Sequence, residues 1–506
     1  MRWVLLALIL AGGVSLAARG AEPGFSRHRM SLAKEFGDLV AFDLTGNKRL
    51  DLIAVQVDRD FRDAPPVLAV YLHTKSGFQE AEAARTRLPA SLIAIAVGNF
   101  PNGPGLVLLM PDSVELRPWR NGRFDSFSGT WAKVESIFPK AGGEVKAGLQ
   151  MVADLEGDGV HEIIVPRVDG LQIFRVGPNG ELTTHALLRT RTFGRLLRFY
   201  RRKLAAYSLP VVRFIDIDGN GWKDVVAFND GVLQVFFLDG ETRPEPRPPD
   251  IAQDMQPPVP FDPSAPRDPP LLLVKAADLN GDGVLDLVFS KTSATDSAFT
   301  TNTRTLIYYG KNEGGRGTLR FSPHPNQVFA SEGFSHPFLV DINRDGRSDL
   351  VLVNVEIGFW NAIKALIART VTAEASFFLM KQEGRYGTIP DELIGYSVKF
   401  SLGRFGHQPI SVFGDVNGDG LPDLLLSEDK ETLGIHWGRS DAFWESDRDS
   451  ELKDFLPINA RRVKVLDLNG DGRDDLIFTY NRDDIRQMPT INGSFTVLLS
   501  RYGQTP

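Results

Sequence analysis

Five stretches of the chain repeat one acidic pattern: DIDGNGWKDVVAF from Asp216, DLNGDGVLDLVFS from Asp278, DINRDGRSDLVLV from Asp341, DVNGDGLPDLLLS from Asp415 and DLNGDGRDDLIFT from Asp467. Each puts a carboxylate or side-chain amide at positions 1, 3, 5 and 9, and a glycine at position 6. Alternate side chains of a tight turn converge, and a hard cation such as calcium takes about six to eight oxygens. Position 7 can add a backbone carbonyl, and the glycine permits the sharp turn. A single copy would read better as an acidic turn in which an Asp caps its own backbone amides. Five aligned copies favour the ion.

Two weaker copies precede these. DLEGDGVHEIIVP from Asp154 offers Asp154, Glu156, Asp158 and Glu162, whose longer glutamates still reach a flexible cation. DLTGNKRLDLIAV from Asp43 keeps Asp43 and Asp51 but has Thr45 and Asn47 in place of acids. Between them, VGNFPNGPGLVLL holds the apolar frame around Asn99 without any acid.

The elements that position these turns follow from the spacing. Starts at 43, 99, 154, 216, 278, 341, 415 and 467 lie 52 to 74 residues apart. A period of about 60 suits a four-stranded propeller blade and is long for a helical solenoid. Runs such as LVFS, LIFT and LLLS after the loops read as strands, and GVLQVFFL from Gly231 and TLGIHWG from Thr432 as their partners. The expected fold is all-β: a closed β-propeller of about eight four-stranded blades, or seven if the repeat at Asn99 is not an independent sheet. The partial repeats at the two ends add to about one period, so 22–506 is expected to form one propeller whose termini share a blade and leave no free sheet edge.

An EF-hand would place a Glu at position 12 and continue as a helix; Phe289, Leu426 and Phe478 stand there instead, each in a strand-like run. The missing helix also argues against a dockerin. Acidic nonapeptide repeats of secreted toxins recur at a far shorter spacing.

The segment from Phe413 to Asp423 resembles the FG-GAP repeat of integrin alpha-subunit propellers and the related bacterial VCBS repeats, and the likeness extends over nearly the whole chain after its leader. The resemblance implies calcium held in hairpin loops on one face, with ligand taken on the opposite face or through inserted loops. Carried over position by position, it implies metal ligands at Asp216, Asp218, Asn220 and Asp224, and at Asp278, Asn280, Asp282 and Asp286. The same positions give Asp341, Asn343, Asp345 and Asp349; Asp415, Asn417, Asp419 and Asp423; and Asp467, Asn469, Asp471 and Asp475. With the two weaker copies, about five to seven calcium ions are expected.

The chain opens with Arg2 and the short apolar run WVLLALILAGGVSLAA, which reads as a signal peptide over 1–21. No later apolar stretch of about 18 residues follows, so no transmembrane segment is expected in the mature chain. Cysteine is absent, which removes disulfides and a lipid-anchor site and leaves ring closure and metal as the available staples. Export to a bacterial periplasm or the extracellular space is expected, as a monomeric propeller. The formal charge of −7 would change sign with five divalent ions bound, so the acidic composition misdescribes a loaded protein.

Two stretches fall outside the repeat: the proline-rich 243–270, read as a surface loop, and the interval 359–400, where Phe359, Ile363, Leu366 and Ile367 have helical spacing. The basic run 189–203 could meet an anionic polysaccharide or serve as a solvated face. Nucleic acid is not expected, because no other basic track accompanies it. Eight scattered histidines lack zinc-ligand spacing and no nucleophile elbow occurs. Trp119, Trp131, Trp360, Trp437 and Trp444 could stack on sugars, but blade packing accounts for most of them. The expected function is a binding or scaffold module for an extracytoplasmic protein or polysaccharide. The alternative is a carbohydrate-active enzyme of the polysaccharide-lyase kind.

Overall fold

The computed structural model describes residues 24–58, 64–125, 130–138, 145, 149–199, 202–255, 271–294, 301–313, 317–332, 334–355, 370–399, 410–440 and 443–501. Eight antiparallel sheets follow one another along the chain, and in most of them the first strand runs into an acidic loop and the second leaves it. Blade 1 is Glu35–Phe42, Asp51–Val57, Val67–Tyr71 and Ala84–Arg87. Blade 2 is Ala94–Phe100, Gly103–Leu109 and Ser113–Arg120, with the short Arg123–Phe124 and Trp131–Lys133 both on its third strand. Blade 3 is Val152–Ala153, Glu162–Arg167, Gly170–Val176 and Leu182–Leu188. Blade 4 is Val211–Ile215, Asp224–Asn229, Val232–Phe236 and Ile251–Asp254.

Blade 5 is Leu272–Ala277, Asp286–Ala294, Thr301–Tyr308 and Gln327–Glu332. Blade 6 is Phe334–Val340, Asp349–Val355, Thr370–Phe378 and Glu392–Lys399. Blade 7 is Ser411–Gly414, Asp423–Ser427, Thr432–His436 and Ser450–Lys453. Blade 8 takes Val463–Leu466, Asp475–Phe478 and Ser494–Ser500 from the end of the chain and Phe25–Ser31 from its start, which pairs in register with Ser494–Ser500.

The apolar runs after the loops are explained by burial on both sides. Val225 and Ala227 face blade 3 while Val226 and Phe228 face blade 5, so alternation alone fills both interfaces. Eight apolar clusters each join two consecutive blades. The last joins Met30, Leu468, Ile477 and Phe495 of blade 8 to Leu39, Leu52 and Tyr71 of blade 1, so the interfaces return on themselves. First strands approach their neighbours between blades 1 and 2, 2 and 3, 4 and 5, and 7 and 8, which makes them the inner strands. Antiparallel order then puts every acidic loop on one face and the connections between blades on the other.

The repeat around Asn99 is a sheet in its own right, which decides for eight blades over seven. Its pairing continues to Phe100 opposite Gly103, so a tight turn has replaced the acidic loop. The proline-rich region is not simply a surface loop. Arg243–Arg247 runs parallel to Leu182–Leu188 at the edge of blade 3, and Ile251–Asp254 is a blade strand. An outer edge tolerates Pro244 and Pro246, because their missing N–H groups face no partner strand. The basic run forms a hairpin, Phe193–Phe199 with Arg202–Ser208, between blades 3 and 4. Residues 1–21, 256–270 and 359–367, including Trp360, lie outside the described residues. No described helix is long and apolar enough to cross a membrane.

Candidate metal centres

The first Asp of each loop organises the turn. Asp216 Oδ1 accepts from Gly219 N at 2.8 Å and Oδ2 from Gly221 N at 2.9 Å. Asp278, Asp415 and Asp467 repeat both bonds with the amides at positions 4 and 6. Asp341 accepts from Asp345 N and Gly346 N, and Asp154 from Gly157 N and Gly159 N. In the first loop Asp43 accepts from Gly46 N and Lys48 N. Glycine at position 4 serves a left-handed turn, with φ +72° at Gly219 and +78° at Gly418. Arg344 holds φ +59° at the same position, which strains an L-residue.

The ninth-position carboxylate is buried. Asp224 Oδ2 accepts from Ile217 N at 2.9 Å and Oδ1 from Leu238 N at 2.8 Å, two residues beyond the third strand. The same pair of bonds recurs at Asp286 with Leu279 and Gly310, Asp349 with Ile342 and Met380, and Asp423 with Val416 and Gly438. Asp475 takes Leu468 and Ser500, and Asp51 takes Leu44 and His73. Burial pushes Asp224, Asp286, Asp423 and Asp475 up to about 7, the nearby loop aspartates add to the rise, and the backbone bonds oppose it. Asp349 is pushed to about 6 for the same reasons.

Positions 3 and 5 separate the loops. In the Asp216 loop the carboxylates of Asp216, Asp218 and Asp224 bring one oxygen each within 4.8 Å of one another, the one such group among the described residues. Asn220 turns its amide to Leu238 O at 2.8 Å and accepts from Trp222 N. In the four other strong copies the position-3 amides Asn280, Asn343, Asn417 and Asn469 donate to the position-5 carboxylates Asp282, Asp345, Asp419 and Asp471 at 3.0 to 3.3 Å. These donors stand in one loop without the close triple.

The weaker copies are held differently. Arg175 forms an ion pair with Glu156, and Glu162 accepts from Leu155 N. Burial lifts Glu162 to about 7, with Glu156 adding to it. Asp158 accepts from Val160 N. In the first loop Asn47 reaches His73 O, and among the described residues no third carboxylate joins Asp43 and Asp51.

A family model for the FG-GAP-like repeat matches residues 216–289, 278–352 and 415–478. The chain is an eight-bladed β-propeller that carries FG-GAP-like repeats. No curated protein sequence matches it. Among solved structures, an N-acetylglucosamine-recognising lectin from Agrocybe aegerita is 15% identical, over 87% of this chain and 92% of that one, with a TM-score of 0.37. A rhamnogalacturonan lyase from Bacillus licheniformis is 12% identical over 93% and 91%, at 0.30. The WD40 domain of fission-yeast SCAP is 10% identical over 81% and 95%, at 0.28. The scores and identities are too low for any of the three to carry an argument.

Several residues of the propeller gain importance only in three dimensions. The loops are bonded to one another through position 8: Lys223 N donates to Leu155 O, Ser348 N to Leu279 O, Leu50 N to Leu468 O and Asp474 N to Asp415 O, at 2.7 to 2.8 Å. Pro422 has no N–H to give at the junction of blades 6 and 7. There Arg344 Nε donates to Gly420 O at 2.7 Å and Nη2 to Asp419 O. The inner strands carry Arg213, Lys275 and Lys464, each three residues before the first loop Asp. Lys464 Nζ donates to Leu39 O at 2.7 Å, and desolvation lowers its pKa although the residue as a whole is exposed. Trp444 is buried and Trp119 and Trp437 are partly so, which leaves Trp131 as the exposed described tryptophan of the five.

Proposed function

We propose that this FG-GAP propeller is an exported calcium-binding module that presents a rigid face to an extracytoplasmic protein or glycan. The observation that carries the calcium reading is the convergence of Asp216, Asp218 and Asp224. A buried carboxylate raised to about 7 beside two further acids is the electrostatic situation a divalent cation relieves. The donors are all oxygens, which suits calcium over softer metals. Asp216, Asp218, Asn220 and Asp224, with the Trp222 carbonyl, would hold one ion, and the equivalent positions of the other strong loops would hold theirs. Calcium would supply a cross-link between the first two strands of a blade in a chain without cysteine.

The partner face would be the side opposite the loops, where the strands Phe193–Phe199 and Arg202–Ser208 and the helix Arg482–Gln487 lie in the connections. Export follows from the leader-like start, and N-terminal sequencing of the chain recovered from a fractionated host tests it. Glycan-array binding with calcium and with chelator tests the partner. Retention of a defined glycan only in calcium supports the reading, and binding of none leaves a protein partner to be sought by pull-down.

A second reading, an enzyme acting on an acidic polysaccharide, is favoured by Arg213, Lys275 and Lys464 at matching heights on inner strands. A lyase must neutralise a uronate and abstract a proton beside it. Appearance of unsaturated uronate in the ultraviolet on incubation with an array hit decides for it.

A further inference from the structure

Four loops carry identical donors, Asp-Asn-Asp-Asp at positions 1, 3, 5 and 9, and differ at position 7, where Val284, Arg347, Leu421 and Arg473 stand. The two arginines fold back onto their own position-5 carboxylates. Arg347 Nη2 lies 2.9 Å from Asp345 Oδ2, and Arg473 Nη1 lies 3.4 Å from Asp471 Oδ2. Both side chains are only 22% exposed and are held by a second contact. Arg347 Nη1 donates to Lys381 O at 3.0 Å. The Arg473 stem lies along the loop of blade 7, so close that a Cβ on Gly418 would meet its Cγ at 2.8 Å. Val284 and Leu421 bring no charge, but Arg344 sets its guanidinium on the Asp419 and Gly420 carbonyls of the blade 7 loop, so among the described residues the blade 5 loop is the one of the four with no arginine bonded to it.

We infer that these calcium loops differ in affinity, tight in blade 5 and weaker in blades 6 and 8, with the position-7 arginine setting the difference. The inference rests on the calcium reading of the loops. The position-5 carboxylate is a donor the ion needs, and in blades 6 and 8 it is already shared with a guanidinium. That group cannot escape by losing its proton. The surface ion pair itself is worth little, so the larger effect is repulsion between a tethered unit charge and a divalent ion a few ångströms away. A weakening of about tenfold is expected. Rising calcium therefore fills blade 5 before it stiffens blades 6 and 8.

The test is a calorimetric calcium titration of the chelator-stripped full chain, beside a variant carrying Arg347→Val and Arg473→Leu, the residue types of blades 5 and 7. The wild type is expected to bind in two phases, and the variant to move two sites about tenfold toward the tight phase. Arg347→Gln with Arg473→Gln removes the charge while keeping a polar stem, and gives the same shift if the apolar pair folds poorly. Superimposable isotherms for wild type and both variants overturn the inference while leaving the calcium reading intact. Absence of uptake by every chain removes the calcium reading itself.

Discussion

Asp415 and Asp474 hold each other reciprocally across the junction of blades 7 and 8. The Asp474 backbone N–H donates to Asp415 O at 2.7 Å, and the Asp415 backbone N–H donates to the Asp474 carboxylate at 2.9 Å. The first residue of one acidic loop is thereby fixed by the eighth residue of the next. The side-chain half of this clasp depends on an acid at position 8, where Lys223, Leu285, Ser348 and Pro422 stand in the other strong loops.

Replacing Asp474 by Ala removes that half and leaves the Asp415 amide without its acceptor. A loss of about 1–2 kcal/mol is expected in urea denaturation, in chelator and in calcium alike. An unchanged midpoint in both conditions would show that the bond contributes nothing.

Asp51 separates the structural duty of position 9 from metal binding. Its loop lacks acids at positions 3 and 5, yet both its oxygens accept backbone amides, from Leu44 and from His73. Asp51→Ala strands two buried donors at about 1–3 kcal/mol each. The destabilisation should be the same with and without calcium; a loss seen only in calcium would make Asp51 a ligand instead of a staple.

The raised carboxylates fix a pH dependence for the metal-free chain. Asp224, Asp286, Asp423 and Asp475 sit near 7, against an ordinary value of 3.8, mainly because they are buried. A carboxyl whose pKa rises on folding stabilises the fold while protonated. That stability is complete below the ordinary carboxyl range and is lost as pH climbs through about 7. In chelator the thermal midpoint should therefore fall between about pH 5 and about pH 8, and calcium should narrow the fall because it favours the ionised form. A midpoint that rises across this window in chelator contradicts the assignment.

Ring closure is tested at Met30, which is fully buried between the terminal strands and blade 1 beside Phe36, Tyr71 and Phe495. Met30→Ala should cost about 2–5 kcal/mol in denaturant. A cost below about 1 kcal/mol would mean that the first strand is not part of the core.

The fold was largely legible because its determinants are local and repeated. Asp at position 1 and glycine at positions 4 and 6 specify a turn, and the apolar run behind it specifies a strand buried on both faces. Even the acid-free repeat at Asn99 kept enough of that pattern to count as a blade. The non-local features were hidden. The second partner of a ninth-position carboxylate, such as Leu238 for Asp224 or Gly438 for Asp423, comes from the end of the third strand or just beyond it, and no motif marks it. Arg243–Arg247 is a strand only because blade 3 offers it a free edge, while its two prolines read as loop. Arg344 stands where its sibling loops have glycine, and its reach to Asp419 and Gly420 follows from a proline some eighty residues away. The close carboxylate triple at Asp216, Asp218 and Asp224 was legible as composition, but the different arrangement of the Asn-bearing loops was not.

The central claim is that the acidic loops take up calcium. The direct measurement is a calorimetric titration of calcium into the chelator-stripped full chain, followed by thermal unfolding of the loaded protein. Saturable uptake of about five ions is predicted, with a midpoint well above that in chelator, since a ligand at a hundredfold its Kd adds about 2.7 kcal/mol per site. No saturable heat and an unmoved midpoint would contradict it.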